Sequence, residues 1–468
     1  MKISTLIILF ILFLTTSTFA QTLSLTQYQD QVHQVDPSWH AVEINEAGSR
    51  LLTTESDSIT EIQFTSQLSY LKDRRPTANP SFQGDQTDYH GLMFGFKQQT
   101  SWGAQWSVTQ NYGHTQIFNA APTAIPVPDY YDSFPKLDFN ISLWRNFAGA
   151  EVAAQVTKAQ KMSVMRSKAS ELERLQKEIE IEDAYNAAAS LQQSLDAQKD
   201  GFERAEKLLA WTRKRIARNL ADNSDVYQSQ AAVAFRKLEL ISTKTNLSKA
   251  IEKFNSLRGI ASNELKETLQ LSDVNSQALL LSKNNIRVRK DIRLKEFENE
   301  SNNASFRALR EQHKPQLDLS LSALDQGRDI NKSEAQSKVF HDSKDYLQVA
   351  VTLNIPLNQF KESDFRKGYN LLSESQIYKD RNRILDESLA WKYNVDLALQ
   401  LHDQLTALQE LEGFQKNKAN AEQDKFNRGR STLFQVLTYE QDYITARSQK
   451  INLELQARQF ISQLKLFE

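Results

Sequence analysis

Proline is absent between residues 136 and 314 and again after 356, although the chain of 468 residues holds nine of them. Proline breaks a helix from inside, because its ring removes a donor and clashes with the preceding turn, so these two gaps are where long helices are permitted. Both gaps are rich in Ala, Leu, Glu, Lys, Gln and Arg, which favour helix. Apolar residues recur there at steps of three and four: Leu172, Leu175 and Ile179 in the first gap, and Leu385, Leu389, Tyr393, Leu397, Leu401, Leu405, Leu408 and Leu411 in the second. The spacing predicts one helix from about Ala150 to Arg218 and another from about Lys361 to Arg428, each about 100 Å long at 1.5 Å per residue. Helices of that length carry too narrow an apolar stripe to enclose a globule, so they should pack side by side as coiled coils.

A second pattern has a period of two. Ile62, Phe64, Leu68 and Tyr70 alternate with Gln63, Thr65, Gln67 and Ser69; Leu137, Phe139, Ile141 and Leu143 alternate with Asp138, Asn140 and Ser142. Later, Leu317, Leu319, Leu321 and Ala323 interleave with Asp318, Ser320 and Ser322, and Leu347, Val349, Val351, Leu353 and Ile355 with Gln348, Ala350, Thr352 and Asn354. These four main strands, at about 60–70, 137–144, 315–323 and 346–355, have one apolar and one polar face. That suits a barrel with lipid outside and water within, and it also suits a sheet packed on a soluble core.

The two patterns repeat. Arg218, Asn219, Asp225, Val226 and Tyr227 have counterparts in Arg428, Gly429, Gln435, Val436 and Leu437, and Ile62 has one in Leu317. Each repeat reads strand, strand, long helix, turn, shorter helix, the return helices lying near Asp225–Leu257 and Leu433–Phe467. The segments Thr26–Thr54 and Ile286–Arg310 would make up the missing length, the first completing the second repeat across the molecule. Asp36-Pro37 interrupts the first segment as an N-cap and N1 pair. The organisation is thus a segment 1–20, a first repeat over 21–258, a linker over 259–285 and a second repeat over 286–468. Extra chain in the first repeat, residues 71–136, carries Leu92, Phe94, Phe96, Trp102, Trp106, Val108 and Tyr112 with Gly103 at a turn, and reads as an external loop or a β-ribbon extending from the barrel.

Residues 1–20 read as a cleaved export signal: Lys2, an apolar run from Leu6 to Leu14, and Thr18-Phe19-Ala20 before Gln21. With no cysteine there is no acylation site and no disulfide. The mean hydropathy of −0.56 leaves no second stretch fit for a membrane helix, so any membrane crossing must use strands. A net charge of −1 gives no basic field for nucleic acid. The seven histidines, His33, His40, His90, His114, His313, His341 and His402, lack metal-ligand spacing, and neither a phosphate loop nor GxSxG occurs. The neighbours His341 and Asp342 read as loop surface. No catalytic residue, metal or cofactor is expected, and the chain reads as a non-enzyme.

Four strands cannot close a barrel, for which about eight are the minimum, and open edges are not tolerated in lipid. The chain must therefore associate: two copies give eight strands, three give twelve, four give sixteen, and the residues alone do not choose.

Val35-Asp36-Pro37, the strand-end Ser142-Leu143-Trp144-Arg145-Asn146, its counterpart Ile355-Pro356-Leu357, and the two hairpin motifs 218–226 and 428–436 together resemble the TolC family of outer-membrane factors, over the whole mature chain. The resemblance implies a mainly α protein with a membrane β-barrel part. Its homotrimer would form a 12-stranded barrel among outer-membrane lipids and a long periplasmic α-helical barrel. It implies a duct for efflux or type I secretion, opened at its helical tip by a periplasmic adaptor (membrane fusion) protein of an inner-membrane pump. It also places Asn219, Asp222, Asp225, Phe426, Arg428, Gly429, Arg430 and Gln435 at the gate. Phe426 matches an aromatic latch position and Asp225 an acidic one. The acidic ring positions are Gln435 and Thr438 here, and the basic latch position is Ser431, so Asp225 is expected to pair with Arg428 or Arg430. Asp225 fits a helix cap equally well, and a structural envelope-spanning protein or a periplasmic coiled-coil protein is the alternative function.

Overall fold

The computed structural model describes residues 22–218, 222–274, 276–281, 286–339, 341 and 344–467. The expected export signal, Asn219 and Asp342 lie outside them. The chain forms two compact units, one of residues up to 48, 169–293 and 384 onward, the other of residues 49–168 and 294–383. Each unit draws on both repeats, so the repeats are units of sequence and not of packing.

The second unit is built on one antiparallel sheet. Its strands are β1 (Gln63–Asp73), β2 (Gln86–Gln99), β3 (Ala104–Phe118), β4 (Asp129–Ser142), β5 (Gln316–Asp325), the short β6 (Gly327–Asp329) and β7 (Asp345–Asn354). They follow one another in the order β1-β2-β3-β4-β5-β7, and β6 extends the pairing of β4. Residues 71–136 therefore add two strands, and these lie within the sheet, between the two main strands of the first repeat, where a loop or projecting ribbon was expected. Gly103 makes their connection. Its φ of +93° suits only glycine, and its N–H closes the turn on the Thr100 carbonyl at 3.1 Å.

After β4 the chain turns through Asn146, in the left-handed region at φ +59°, whose side-chain oxygen accepts from the N–H groups of Glu151 and Val152 at 2.9 and 3.1 Å. Arg145 pairs with Glu151 at 3.1 Å. The strand-end motif is thus the device that starts the long helix. That helix, α3, runs Ala150–Ile216 unbroken. Between α3 and the second long helix, Gln359–Asn427, lies a helix of residues Lys290–Gln312. Its Ser301 hydroxyl donates to the Lys158 carbonyl, and its Asn299 amide donates to Asp380 at 2.7 Å.

The first unit is helical. In chain order its helices begin with α1 (Leu25–Val35) and α2 (Pro37–Leu51), and α3 turns back into α4 (Asn223–Leu257). The helix Lys290–Gln312 is α5, Gln359–Asn427 is α6, and its return helix Leu433–Gln463 is α7. Ser24 and Gln27 form a capping box at α1, and Pro37 opens α2 behind Asp36. Burial pushes the Asp36 carboxyl up, but hydrogen bonds from Ser38 and the Lys177 ammonium at 3.2 Å outweigh it and hold the group below its ordinary range.

The α1 segment does not complete the second repeat. Tyr28 and Val32 bury their face against Tyr185 of α3 and Phe254 of α4, both of the first repeat, with the Tyr28 and Phe254 rings stacked at 4.2 Å. The matching cluster of the second repeat is closed by Leu279, which packs on Leu401, Leu405, Leu453 and Phe460. The linker is therefore structural. Its Thr268 and Leu269 pair in parallel with Thr22 and Leu23, and the Tyr185 hydroxyl shares its proton between the carbonyls of Leu23 (2.6 Å) and Gln270 (2.8 Å).

Tyr185→Phe takes the donor from both carbonyls: that of Leu23 keeps the Gln270 N–H at 3.1 Å, and that of Gln270 loses its bond. A loss of about 1–3 kcal/mol is expected, read as a lowered midpoint of thermal unfolding followed by far-UV circular dichroism.

Candidate gate at the hairpin tips

The second long helix ends in a turn that its own residues dictate. At the end of α6, Gly429 sits in the left-handed region at φ +73°. The Arg430 N–H donates to the Lys425 carbonyl at 2.8 Å and the Gly429 N–H to that of Phe426 at 3.0 Å, the paired bonds of a Schellman motif. Thr432 then caps α7, its hydroxyl accepting from the Gln435 N–H at 3.4 Å while the Gln435 side chain accepts in return. At the other tip Asp222 caps α4, and the Asp225 carboxylate accepts from the Asp222 N–H at 3.3 Å. Both return helices thus begin with a capping box, and Gln435 and Asp225 hold the same N3 position in the two repeats.

Of the eight expected gate residues Asn219 lies outside the described ones, and the other seven fall into three places. Asp222 and Asp225 share the first turn. Arg428, Gly429, Arg430 and Gln435 share the second. Phe426 lies below the second turn, fully buried, and joins the two hairpins. Its ring sits 4.6 Å from that of Trp211 on α3, and the Arg215 guanidinium lies 4.9 and 5.0 Å from the two rings. Leu208, Leu433 and Val436 complete this clasp. Arg428 and Arg430 are exposed, and among the described residues no carboxylate of the same chain lies within ion-pair distance of either. Within one chain Asp225 acts as a helix cap.

Other groups came to light only in three dimensions. Glu422 is drawn onto the second turn by the Ser431 hydroxyl and by Lys425 at 3.1 Å, and these two hold its carboxyl below the ordinary range. Behind the clasp, Arg204 reaches Asp200 at 3.1 Å and Glu440 at 3.6 Å, Arg447 reaches Asp200 at 3.2 Å, and Tyr443 lies under Arg204. Burial lifts the Glu440 carboxyl above its usual range in spite of Arg204. Trp211 and Arg215 stand at i and i+4, a spacing that puts them on one helix face and could have marked the clasp in the sequence. The Ser431–Glu422 contact depends on the turn and had no such signal.

Among the described residues no group of three His, Cys, Asp or Glu side chains is placed to hold a metal ion. The described residues of the second turn are polar and exposed, and one aromatic clasp lies behind them.

No family model and no curated protein matches the chain in sequence. Solved structures do match in fold. The outer membrane protein VceC from Vibrio cholerae superposes with a TM-score of 0.61 at 15% identity, covering 94% of this chain and 95% of that one. The chain has the TolC-like outer-membrane channel fold. The MtrE channel of Neisseria gonorrhoeae, solved in an open state, gives 0.59 at 12% identity over 94% and 88% of the two chains. The CmeC channel of Campylobacter jejuni gives 0.58 at 14% over 94% and 85%. The channel fold is thus kept across nearly the whole chain while sequence identity is very low.

Two outcomes are expected at the tips of this channel fold. Phe426→Ala empties the clasp at a cost of about 3–5 kcal/mol, read as faster amide exchange in 204–216 and 422–440 with the sheet unchanged. The pH dependence has two limbs. Glu440, raised in the folded state, costs tip stability above its folded value, and that cost is lost as pH falls through it toward the ordinary carboxylate range; Glu422, lowered, stabilises the tip until pH falls below the ordinary range and through its own folded value. Protection should therefore rise as pH falls toward the ordinary carboxylate range and fall again below about 4.5. Glu440→Gln should remove the rise and keep the fall.

Proposed function

We propose that the chain is one protomer of an outer-membrane exit duct, a homotrimer serving an efflux pump or a type I secretion system and carrying out no catalysis. In this reading the sheet lies in the outer membrane and the helices extend into the periplasm. The hairpin tips meet a periplasmic adaptor of an inner-membrane pump, and opening is a population shift that the adaptor biases.

The observation that carries the reading is what one chain leaves uncovered. The sheet has one apolar face exposed, with Phe64, Leu68, Val349 and Val351 each more than half accessible. Its outer strands β1 and β7 each have one partner only among the described residues. The α6 stripe is likewise half covered. Leu401 and Leu405 are buried on α7, whereas Leu385, Leu389 and Tyr393 are 56%, 55% and 67% exposed. Lipid satisfies the first surface, and neighbouring copies satisfy the other two.

The protein should fractionate with outer membranes and give a low, closed-state conductance in planar bilayers. Asp225→Lys removes the capping carboxylate and puts a cation at a helix N-terminus, so it should loosen the tip and raise single-channel conductance. Absence from the outer-membrane fraction, or no conductance from either form, would contradict the proposal.

A further inference from the structure

We propose that all six successive strands of each chain enter the membrane wall, so that three copies close an eighteen-stranded barrel rather than the twelve-stranded one that four strands per chain would give. The inference rests on the reading of the chain as an outer-membrane protomer and concerns what its insertion is for.

The ladders leave no other place for β2 and β3. Every residue of β1 from Gln63 to Asp73 pairs with β2, and β4 pairs with β3 on one side and β5 on the other. Projecting the β2–β3 ribbon away from the wall would strip β1 of its one partner and β4 of one of its two, and unpaired backbone is not tolerated in hydrocarbon.

The side chains tell the same story. Residues paired across a ladder point to the same face. One such row crosses the whole sheet as Phe64, Phe96, Val108, Leu137, Ala323 and Leu347. The next row, on the opposite face, reads Gln63, Lys97, Ser107, Asp138, Ser322 and Gln348. The first is apolar at all positions and the second polar at all positions, with no break where the inserted strands begin. A ribbon bathed in water would have no reason to keep its apolar residues in register with those of the membrane strands. Farther along, Tyr70, His90, His114 and Tyr131 form a row of rings across β1–β4 at centroid separations of 4.9, 6.3 and 4.2 Å. Such a row resembles the aromatic girdle of a membrane interface, and the inserted strands supply its middle two members.

The occupant of the bare edges is a second copy. Six antiparallel strands leave β1 and β7 running oppositely, so β7 of one copy can add to β1 of the next and continue the same alternation to closure. With strands about 4.8 Å apart and tilted about 40°, the backbone diameter is roughly 36 Å for eighteen strands against roughly 24 Å for twelve. The exit is then as wide as a porin's, and the narrow point of the duct is left to the helical tips.

The chain has no cysteine, so single cysteines can be placed without a background. Phe96→Cys and Val108→Cys test the inserted strands, Leu137→Cys and Leu347→Cys the main ones, and Lys97→Cys and Ser107→Cys the polar face. Each full-length variant carries a fluorophore in liposomes with brominated lipid. Equal quenching at 96, 108, 137 and 347, with none at 97 and 107, is expected. Quenching at 137 and 347 but not at 96 and 108 would overturn the eighteen-stranded wall and leave the membrane reading standing; no quenching at any site would overturn the membrane reading itself. End-on electron-microscopic projections of the unsubstituted protein give a count that needs no variant: eighteen strands support the inference and twelve overturn it.

Discussion

Backbone hydrogen bonding at a sheet edge is the constraint on which the rest of this structure depends. A strand of β1 or β7 offers a row of N–H and C=O groups on its free side, and hydrocarbon offers them nothing. The sheet also has one apolar face, which water does not favour. A single chain therefore has no environment that suits it: water leaves the apolar face exposed and lipid leaves the edges unpaired. In the proposed reading closure with other copies removes both difficulties at once, and the alternation of Phe64 with Gln63, or Leu321 with Ser322, would sort lipid from lumen.

The helical part meets the same demand by packing. Long helices bury a stripe, and α6 buries only the half of its stripe that α7 reaches, around Leu401 and Leu405. Toward the tips the packing thins to the Trp211–Phe426 clasp, a Schellman turn and two capping boxes, each of the boxes contributing on the order of 1 kcal/mol. The core around Tyr28, Tyr185 and Phe254 is far denser. Stability graded in this way lets the tips rearrange while the middle of the bundle stays folded, which is what a gate requires.

Most of the fold was legible because it is periodic. Missing prolines and the i, i+3, i+4 spacing located α3 and α6 to within about two residues, and alternation located four strands, although β4 begins at Asp129, eight residues before the expected start at 137. The inserted strands were harder. Their polar face includes Gly91, Gly95 and Gly113, which blur the period, so the aromatic residues stood out while the pairing did not. Partner choice was not legible at all: nothing local to Tyr28 says that it meets Phe254 and not the second repeat. At the tips, Gly429, Asp222 and Gln435 could be read from turn and cap chemistry. Glu422 and the Arg204–Glu440 contact could not, because they join residues that only the finished hairpins bring together.

The central claim is that the folded chain is incomplete without copies of itself. Native mass spectrometry of the protein released from detergent measures this directly. The account predicts a species of three chains, each of 53.7 kDa less its export segment, with no folded single chain in equilibrium. A stable single chain that retains its full strand content in the same detergent would contradict it.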